Sequence, residues 1–144
     1  MNIIEIKDLS TVQYIHDRLY EYNLSKTGGS KKEIVLPDTP PRYGWYVIND
    51  SGKICGGLVY QLKASGELYV DFLWIDESLR GMGMGGKLLK LAITRAEELS
   101  RTAVTLYTNS FQAPEFYQKF GFTLTEIKGE QYFYRWELGG SGSR

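Results

Sequence analysis

The chain has 144 residues, and its 17 lysines and arginines balance its 17 aspartates and glutamates. This length suits one domain, which we assign to residues 1–138, leaving out residues 139–144 as a cloning remnant. Zero net charge argues against a nucleic-acid partner, and no apolar run is long enough to span a membrane. One cysteine and one histidine exclude an internal disulfide and a Cys/His metal cluster, so we predict no metal and a cytoplasmic location.

The N-terminal half predicts a strand, a helix, a long loop and three more strands. Asn2 to Lys7 alternates apolar and polar residues, as an edge strand does. Ser10 is placed to cap a helix whose apolar stripe continues to Tyr22. His16 lies beside that stripe and is interpreted as a packing residue. Asn23 to Gly44 is rich in glycine and proline, which predicts a loop. An antiparallel meander follows, with strands Trp45–Ile48, Ile54–Leu62 and Glu67–Ile75. Gly56 and Gly57 in its middle strand indicate a close backbone approach.

The C-terminal half predicts a crossover helix, a strand, a short helix and a final hairpin. The crossover helix begins near Gly83 and carries an apolar stripe. The resulting order, β-α-loop-β-β-β-α-β-α-β-β, is that of an α+β domain. The last elements are predicted at Ala103–Tyr107, Gln112–Phe120, Phe122–Lys128 and Gln131–Leu138.

The most informative stretch is the glycine-rich connection between Ile75 and the crossover helix. Four glycines within six positions, from Gly81 to Gly86, indicate a tight turn or a ligand close to the backbone. The first amides of a helix lack internal partners and bind anions. A cation near a helix N-terminus opposes the helix dipole, so the placement of Arg80 makes better sense if an anion also binds there. The connection therefore predicts an anion site.

Two familiar phosphate motifs fit this stretch less well. A P-loop needs a hydroxyl residue after its lysine, whereas Leu88 follows Lys87. Gly81 to Gly86 has the spacing G-x-G-x-x-G, but five residues separate it from the strand and no βαβ repeat follows. A nucleotide-binding domain is therefore the less favoured interpretation.

A third pattern, Q/R-x-x-G-x-G/A, fits Arg80 to Gly85 and resembles the acyl-CoA motif of the GNAT family of N-acetyltransferases. Ser110 to Phe122 resembles the later motif of the same family, N-x-x-A-x-x-F-Y-x-K-x-G-F, about 30 residues further on. The resemblance covers residues 1–138. It implies a three-layer α-β-α fold with a mixed, mostly antiparallel sheet of six to seven strands.

The resemblance also implies an enzyme that moves an acetyl group from acetyl-CoA to a primary amine of a small molecule, by direct attack in a ternary complex. Tyr117 would protonate the departing thiolate, since a tyrosine pKa near 10 suits donation at neutral pH. Backbone amides after Phe72 would stabilise the developing oxyanion. The implied contacts to acetyl-CoA are Leu73, Trp74, Ile75, Arg80, Gly81, Met82, Gly83, Met84, Gly85, Gly86, Ser110, Ala113, Phe116 and Tyr117.

Two positions depart from the family pattern. The asparagine of the later motif falls on Ser110, and either Ser110 or Asn109 would supply its hydrogen bond. Thr105 stands where some members carry a basic glutamate. We therefore take Asp71 as the candidate base, because strand alternation predicts that it shares a face with Leu73 and Ile75. A hydrogen-bonded aspartate is the competing interpretation.

Several alternatives stay open at this point. The chain could acetylate a protein N-terminus or lysine, or bind CoA as a sensor or partner module without catalysis. Tyr20, Tyr22, Tyr43 and Trp45 could line an acceptor pocket. The final hairpin is a candidate edge for a homodimer. The acceptor and the oligomeric state cannot be read from the sequence.

Overall fold

The computed structural model describes residues 1–110 and 114–138, which form strands and helices in the predicted order. Within these ranges no helix is both long and apolar enough to cross a membrane. The α+β class predicted from the sequence is confirmed. The elements are β1 Asn2–Glu5, α1 Leu9–Thr27, β2 Tyr43–Ile48, β3 Ile54–Leu62, β4 Glu67–Ile75, a 3₁₀ turn Glu77–Leu79, α2 Met84–Glu98, β5 Ala103–Asn109, α3 Glu115–Phe120, β6 Thr123–Lys128 and β7 Gln131–Glu137.

The strands form a seven-stranded sheet in the order β1-β2-β3-β4-β5-β7-β6. Strands β4 and β5 are parallel, with Glu67 opposite Ala103, because α2 carries the chain back before β5 begins. The pairs β1–β2, β2–β3, β5–β7 and β6–β7 are antiparallel. The sheet is therefore mixed and mostly antiparallel, as the resemblance implies.

The chain divides into two compact units, and the first comprises Met1–Gln61 and Asp71–Leu89. Its core contains Val12 and Ile15 of α1, Val59 of β3 and Trp74 of β4. Burying each such side chain stabilises the fold by roughly 1.5–3 kcal/mol. Gly57 allows the close packing of α1, because a Cβ atom there would lie 2.4 Å from Cδ1 of Ile15. The predicted close approach is confirmed at this glycine.

The second unit comprises Leu62–Val70 and Lys90–Arg144. Rings from α3, from Phe122 and from β7 pack here into an aromatic cluster. The ring centroids of Tyr117 and Tyr134 lie 5.7 Å apart, and those of Phe122 and Trp136 lie 5.5 Å apart. Such pairs add about 0.5–1.5 kcal/mol beyond the burial of their area. The cluster consists of Phe116, Tyr117, Phe120, Phe122, Tyr134 and Trp136.

Helix α1 differs from its prediction at both ends. Its cap is Asp8, and the prediction of Ser10 is wrong: Asp8 Oδ1 accepts hydrogen bonds from the backbone and hydroxyl of Thr11 at 2.9 and 2.8 Å, and Ser10 lies in the first turn. The helix also continues past Tyr22 to Thr27. It ends at Gly28, whose φ of +74° suits glycine and whose amide donates to Leu24 O at 2.7 Å.

The predicted loop is consequently shorter than expected and covers residues 28–42, which we call segment 28–42. Two side chains of α1 bind it. The amide group of Gln13 donates to Ile34 O at 2.7 Å and accepts from Leu36 N at 2.9 Å. The hydroxyl of Tyr20 accepts from Lys32 N at 3.0 Å. The segment is therefore ordered along α1. The predicted start of α3 at Gln112 lies outside the described residues.

Candidate active site

The connection after β4 is organised by Asp76 and Leu79. Asp76 caps the 3₁₀ turn, accepting from the hydroxyl and the amide of Ser78 at 2.6 and 3.1 Å. These bonds hold the pKa of Asp76 below its usual value. The side chain of Leu79 is buried and anchors the turn. The residues that follow are held away from the core, in an exposed loop.

Gly81 and Gly83 shape this loop. Their φ angles are +84° and +76°, in the left-handed region that glycine adopts without strain. Apart from the glycine and its two chain neighbours, no atom of the described residues lies within 4 Å of the position where a Cβ atom would stand at either residue. The glycines are therefore required by the backbone turn, and they leave its surface open.

Helix α2 starts directly behind the loop and presents its first amides. Lys87 N donates to Gly83 O at 3.1 Å, so the amides of Met84, Gly85 and Gly86 precede the first intrahelical bond. The amide of Met82 is engaged with Leu79 O at 3.3 Å. The side chain of Met84 is buried, so only its backbone is offered. The first turn of α2 is thus the main source of donors.

Arg80 adds a positive charge at the same place. Its side chain is exposed, its Nε donates to Ile75 O at 3.3 Å, and its guanidinium lies 4.8 Å from the ring centroid of Tyr22. Lys26 Nζ lies 5.3 Å from the centroid of the same ring. Open amides beside a held guanidinium suit a phosphate or pyrophosphate group. These residues therefore fit the pyrophosphate of CoA.

Strand β4 leads into this loop and offers mainly backbone. Trp74 is buried, with its ring 6.4 Å from that of Tyr14. The Cδ1 atom of Ile75 lies over Gly56, 3.2 Å from where a Cβ atom would be. Trp74 and Ile75 therefore use their side chains in packing. Any contact they make with an extended ligand runs through the main chain.

Asp71, the predicted base, is held in a polar network. Its Oδ2 atom accepts from Arg42 Nε at 3.0 Å and from Gln61 Nε2 at 2.5 Å. The side chains of Arg42 and Asp71 are only 10% and 16% exposed. Arg42 Nη1 also donates to Pro37 O at 3.0 Å, which connects the network to segment 28–42. Asp71 is thus an ion-paired carboxylate.

The network also shows which face Asp71 occupies. Gln61 alternates with Val59 on the face of β3 that Ile15 covers. Phe72 packs against the same core as Val59. Asp71 and the adjacent Phe72 therefore reach toward one face, and regular alternation is interrupted in β4. The prediction that Asp71 shares a face with Leu73 and Ile75 is wrong for this reason.

His16 lies on α1 next to this interruption. Its Nδ1 is 3.0 Å from Asp17 Oδ1, and its side chain is 12% exposed. The ring meets Phe72 edge-on at 5.2 Å between centroids and stacks on Tyr20 at 5.8 Å. His16 does pack, as predicted, but the analysis of the sequence missed its carboxylate partner. The adjacent His16-Asp17 pair was the available signal.

The second unit holds Tyr117 inside the aromatic cluster. Its side chain is 9% exposed, and the Phe116 ring lies 5.1 Å away. Desolvation, with a smaller contribution from Tyr134, raises the pKa of Tyr117 above the expected value near 10. None of the described residues forms a hydrogen bond to its hydroxyl group. Tyr117 is therefore a neutral phenol at any physiological pH. Phe116 is partly exposed beside it.

Ser110, which replaces the family asparagine, is bound to the turn between β6 and β7. Its amide donates to Glu130 O at 2.8 Å, and its hydroxyl donates to the Glu130 carboxylate. Asn109 ends β5 opposite Gln131. Ala113, the remaining predicted contact, lies outside the described residues. Among residues 1–110 and 114–138, no group of three or more histidine, cysteine, aspartate or glutamate residues could hold a metal ion.

Comparison with known proteins adds to this geometry. The model of the acetyltransferase (GNAT) family matches residues 8–122. Acetyltransferase Atu2258 of Agrobacterium fabrum is 31% identical over 126 residues, 85% of each chain. Blasticidin-S acetyltransferase of Streptomyces morookaense is 40% identical over 83 residues, 57% of this chain and 60% of that protein. The latter match thus spans less than two-thirds of the relative's length.

A solved structure agrees over nearly the whole chain. The crystal structure of an acetyltransferase from Bacillus cereus has a TM-score of 0.63 and 32% identity, covering 94% of this chain and 96% of that chain. The glycine loop and the later motif both lie within or at the edge of the region that the family model matches. The chain belongs to the acetyltransferase (GNAT) family.

Proposed function

We propose that the protein transfers an acetyl group from acetyl-CoA to a primary amine of a small molecule, by direct attack in a ternary complex. The observation that carries this proposal is the exposed loop of Arg80, Gly81 and Gly83 at the start of α2, in a chain of the acetyltransferase family. Blasticidin-S acetyltransferase, a similar protein, is named for a small-molecule substrate, which favours an acceptor of this class.

In this proposal acetyl-CoA supplies a thioester whose carbonyl carbon accepts the amine. Arg80 and the amides of Gly81, Gly83, Met84, Gly85 and Gly86 bind the pyrophosphate. Met82 lies in the same loop, but its amide already donates a hydrogen bond to Leu79 O. Leu73, Trp74 and Ile75 offer backbone groups to the pantetheine arm. Ser110, Ala113 and Phe116 of the later motif complete the proposed contacts.

Tyr117 is the proposed general acid. It carries its proton throughout the working pH range, because burial raises its pKa. A thiolate in an equally dry environment is also more basic than in water. Proton transfer from the phenol neutralises the departing thiolate and leaves a phenolate, which regains its proton by exchange with water. The role is carried over from the family motif, at the position that matches its tyrosine.

Asp71 remains the base predicted from the sequence, but its contacts favour the competing interpretation. One of its oxygen atoms already accepts from Arg42 and Gln61. The ion pair with Arg42, at 3.0 Å, occupies this oxygen atom and leaves it less available to a substrate amine. The network instead suits Asp71 to ordering Arg42 and segment 28–42.

Ligand binding is the first test. We expect acetyl-CoA at about 100 times its Kd, which adds about 2.7 kcal/mol, to raise the melting temperature by roughly 5–10 °C, and NAD to leave it unchanged. Arg80→Gln should weaken acetyl-CoA binding by about 10- to 100-fold, since it removes a charge-assisted contact. Arg95→Gln, on α2, is the matched control and should bind normally. No stabilisation by acetyl-CoA or CoA at millimolar concentration would contradict the proposal.

Turnover is the second test. A panel of small primary amines, incubated with acetyl-CoA, should include an acceptor whose mass increases by one acetyl group. Peptide substrates belong in the same panel. Acetylation of peptides but of no small amine would indicate that the acceptor is a protein. Binding of acetyl-CoA with no acceptor in either set would favour a CoA-binding module without catalysis.

A further inference from the structure

The candidate active site contains one proton-accepting pair that the sequence did not assign, His16 with Asp17. Both lie on α1, with Nδ1 of His16 3.0 Å from Asp17 Oδ1. Gln13 Nε2 donates to the same carboxylate oxygen at 2.9 Å. Because Gln13 also binds Ile34 and Leu36 in segment 28–42, the carboxylate is fixed from two sides.

The partner determines which nitrogen of His16 carries the proton. Burial alone would raise the pKa of Asp17, but hydrogen bonds from His16 and Gln13 and the nearby positive charges hold it below its usual value. An ionised carboxylate only accepts hydrogen bonds, so Nδ1 of His16 must carry a hydrogen. In the neutral ring the lone pair is then on Nε2. None of the described residues forms a hydrogen bond to Nε2.

The ring also lies at a useful point of the strand. It contacts Phe72, where alternation in β4 is interrupted. The backbone amides after Phe72 are those proposed to receive the thioester oxygen. A base must reach the amine nitrogen that attacks this carbonyl, directly or through one water. His16 is close to that part of β4. Its Nε2 accepts no hydrogen bond from a described residue, whereas Oδ2 of Asp71 accepts two.

We propose that His16 is the general base of the reaction and that Asp17 is its positioning residue. This inference rests on the proposed function. The amine nitrogen forms a bond to the thioester carbon, and the carbon–sulfur bond breaks. Nε2 of His16 takes the proton that the nitrogen loses, and the sulfur takes a proton from Tyr117. The products are the N-acetylated amine and CoA, and both side chains recover their starting states by exchange with water.

Among the described residues, the charged or titratable groups beside the imidazole on its own helix are Asp17, Arg18 and Tyr20, whose ring stacks on it. On β4, Asp71 is adjacent to Phe72, and its charge is compensated by Arg42. A pH profile that changes with Asp17 but not with a remote carboxylate therefore reports on this pair.

The test compares kcat between pH 5 and 9 for the wild type, His16→Gln, His16→Phe, Asp17→Asn and Asp38→Asn. Asp38 is an exposed carboxylate in segment 28–42 and serves as the control. Melting temperature and Kd for acetyl-CoA are measured for every variant. His16→Phe keeps an aromatic ring against Phe72, so that packing and proton transfer are separated.

We expect both His16 variants to bind acetyl-CoA normally and to lose about 100-fold in kcat, together with the acidic limb that the imidazole contributes. Asp17→Asn should lower kcat about tenfold and change that limb of the profile, because Nδ1 of His16 loses the carboxylate that orients the ring. The amine's own ionisation contributes equally to every profile.

Two outcomes would overturn the inference in distinguishable ways. If the wild type acetylates an amine and both His16 variants stay within threefold of its kcat with the same pH profile, His16 is not the base, while the proposed function stands. If the wild type binds acetyl-CoA but acetylates nothing, the proposed function is wrong, and the role of His16 falls with it.

Discussion

The two compact units place their candidate catalytic groups in opposite environments. In the first unit, His16 and Asp71 each have an ionic or hydrogen-bonded partner, namely Asp17 and Arg42. In the second unit, Tyr117 is surrounded by aromatic rings, and no described residue bonds to its hydroxyl group. Polar partners hold the candidate groups of the first unit in place, whereas in the second unit burial raises the pKa of Tyr117.

This difference suits the two halves of acetyl transfer. A base must be able to change its charge state, so it benefits from a fixed ion that stabilises the protonated form. An acid that donates to a thiolate must remain neutral until the thiolate forms, and desolvation ensures this. The comparison predicts that breaking the Arg42–Asp71 ion pair in the first unit lowers stability. Removing the Tyr117 hydroxyl in the second unit should affect the reaction more than the fold.

The largest effect should come from Tyr117→Phe. The ring stays in the aromatic cluster and only the hydroxyl is lost, so we expect kcat to fall by about 100-fold or more, while the melting temperature stays within about 2 °C. Tyr107→Phe, at an exposed position of β5, should change neither quantity. A drop in melting temperature with unchanged kcat would reverse the comparison, because the hydroxyl would then be structural.

The Arg42–Asp71 ion pair should give the next largest effect, on stability. Arg42→Met leaves a carboxylate that is only 16% exposed without its cation, which should cost about 2 kcal/mol of unfolding free energy in urea denaturation. Replacing both residues, Arg42→Met with Asp71→Leu, should recover much of this loss.

Lys31→Met provides the matched control for this pair. It breaks the exposed ion pair between Lys31 and Glu21, whose N–O distance is 3.1 Å, and should cost less than about 0.5 kcal/mol. Equal losses for Arg42→Met and Lys31→Met would show that burial of the Asp71 network contributes nothing.

The smallest effect should be a pH dependence of stability from Asp76. Its pKa is lowered in the folded state by hydrogen bonds from Ser78. A depressed carboxyl pKa contributes stability above the unfolded value of 3.8, and the contribution disappears as pH falls through the folded pKa. Asp76→Asn should therefore lower stability by about a few tenths of a kcal/mol at pH 7 and have less effect near pH 2.

Urea midpoints at both pH values, with Asp38→Asn as the reference, measure this dependence. An equal loss for Asp76→Asn at pH 2 and pH 7 would mean that the ionised carboxylate is not what stabilises the turn.

Strand positions followed well from the sequence, because turn residues and apolar runs mark them locally. Strand β3 was predicted with its observed bounds, Ile54–Leu62. Helix α1 was predicted too short, since Ser25, Thr27 and Gly28 are typical of loops. In the structure, the hydroxyls of Ser25 and Thr27 donate to carbonyl groups of the last turns, and Gly28 closes the helix. Such back-bonding depends on the helix already being present.

The site was predictable where it depends on a local motif. The loop from Arg80 to Gly86 and the position of Tyr117 could be identified from spacing, because backbone shape and helix start are encoded nearby. The face of Asp71 could not, since the interruption of alternation depends on how β4 is placed against Gln61 and Arg42, which are distant in sequence. The His16–Asp17 pair was visible in the sequence, but only packing against Phe72 gave it meaning.

The two bonds from Gln13 to segment 28–42 have a consequence for engineering. One helical amide satisfies a carbonyl group and an amide of the segment, as a neighbouring strand would. Segment 28–42 should therefore be replaceable by the corresponding segment of a relative, provided that the recipient keeps Gln13 and Tyr20 as its two attachment points.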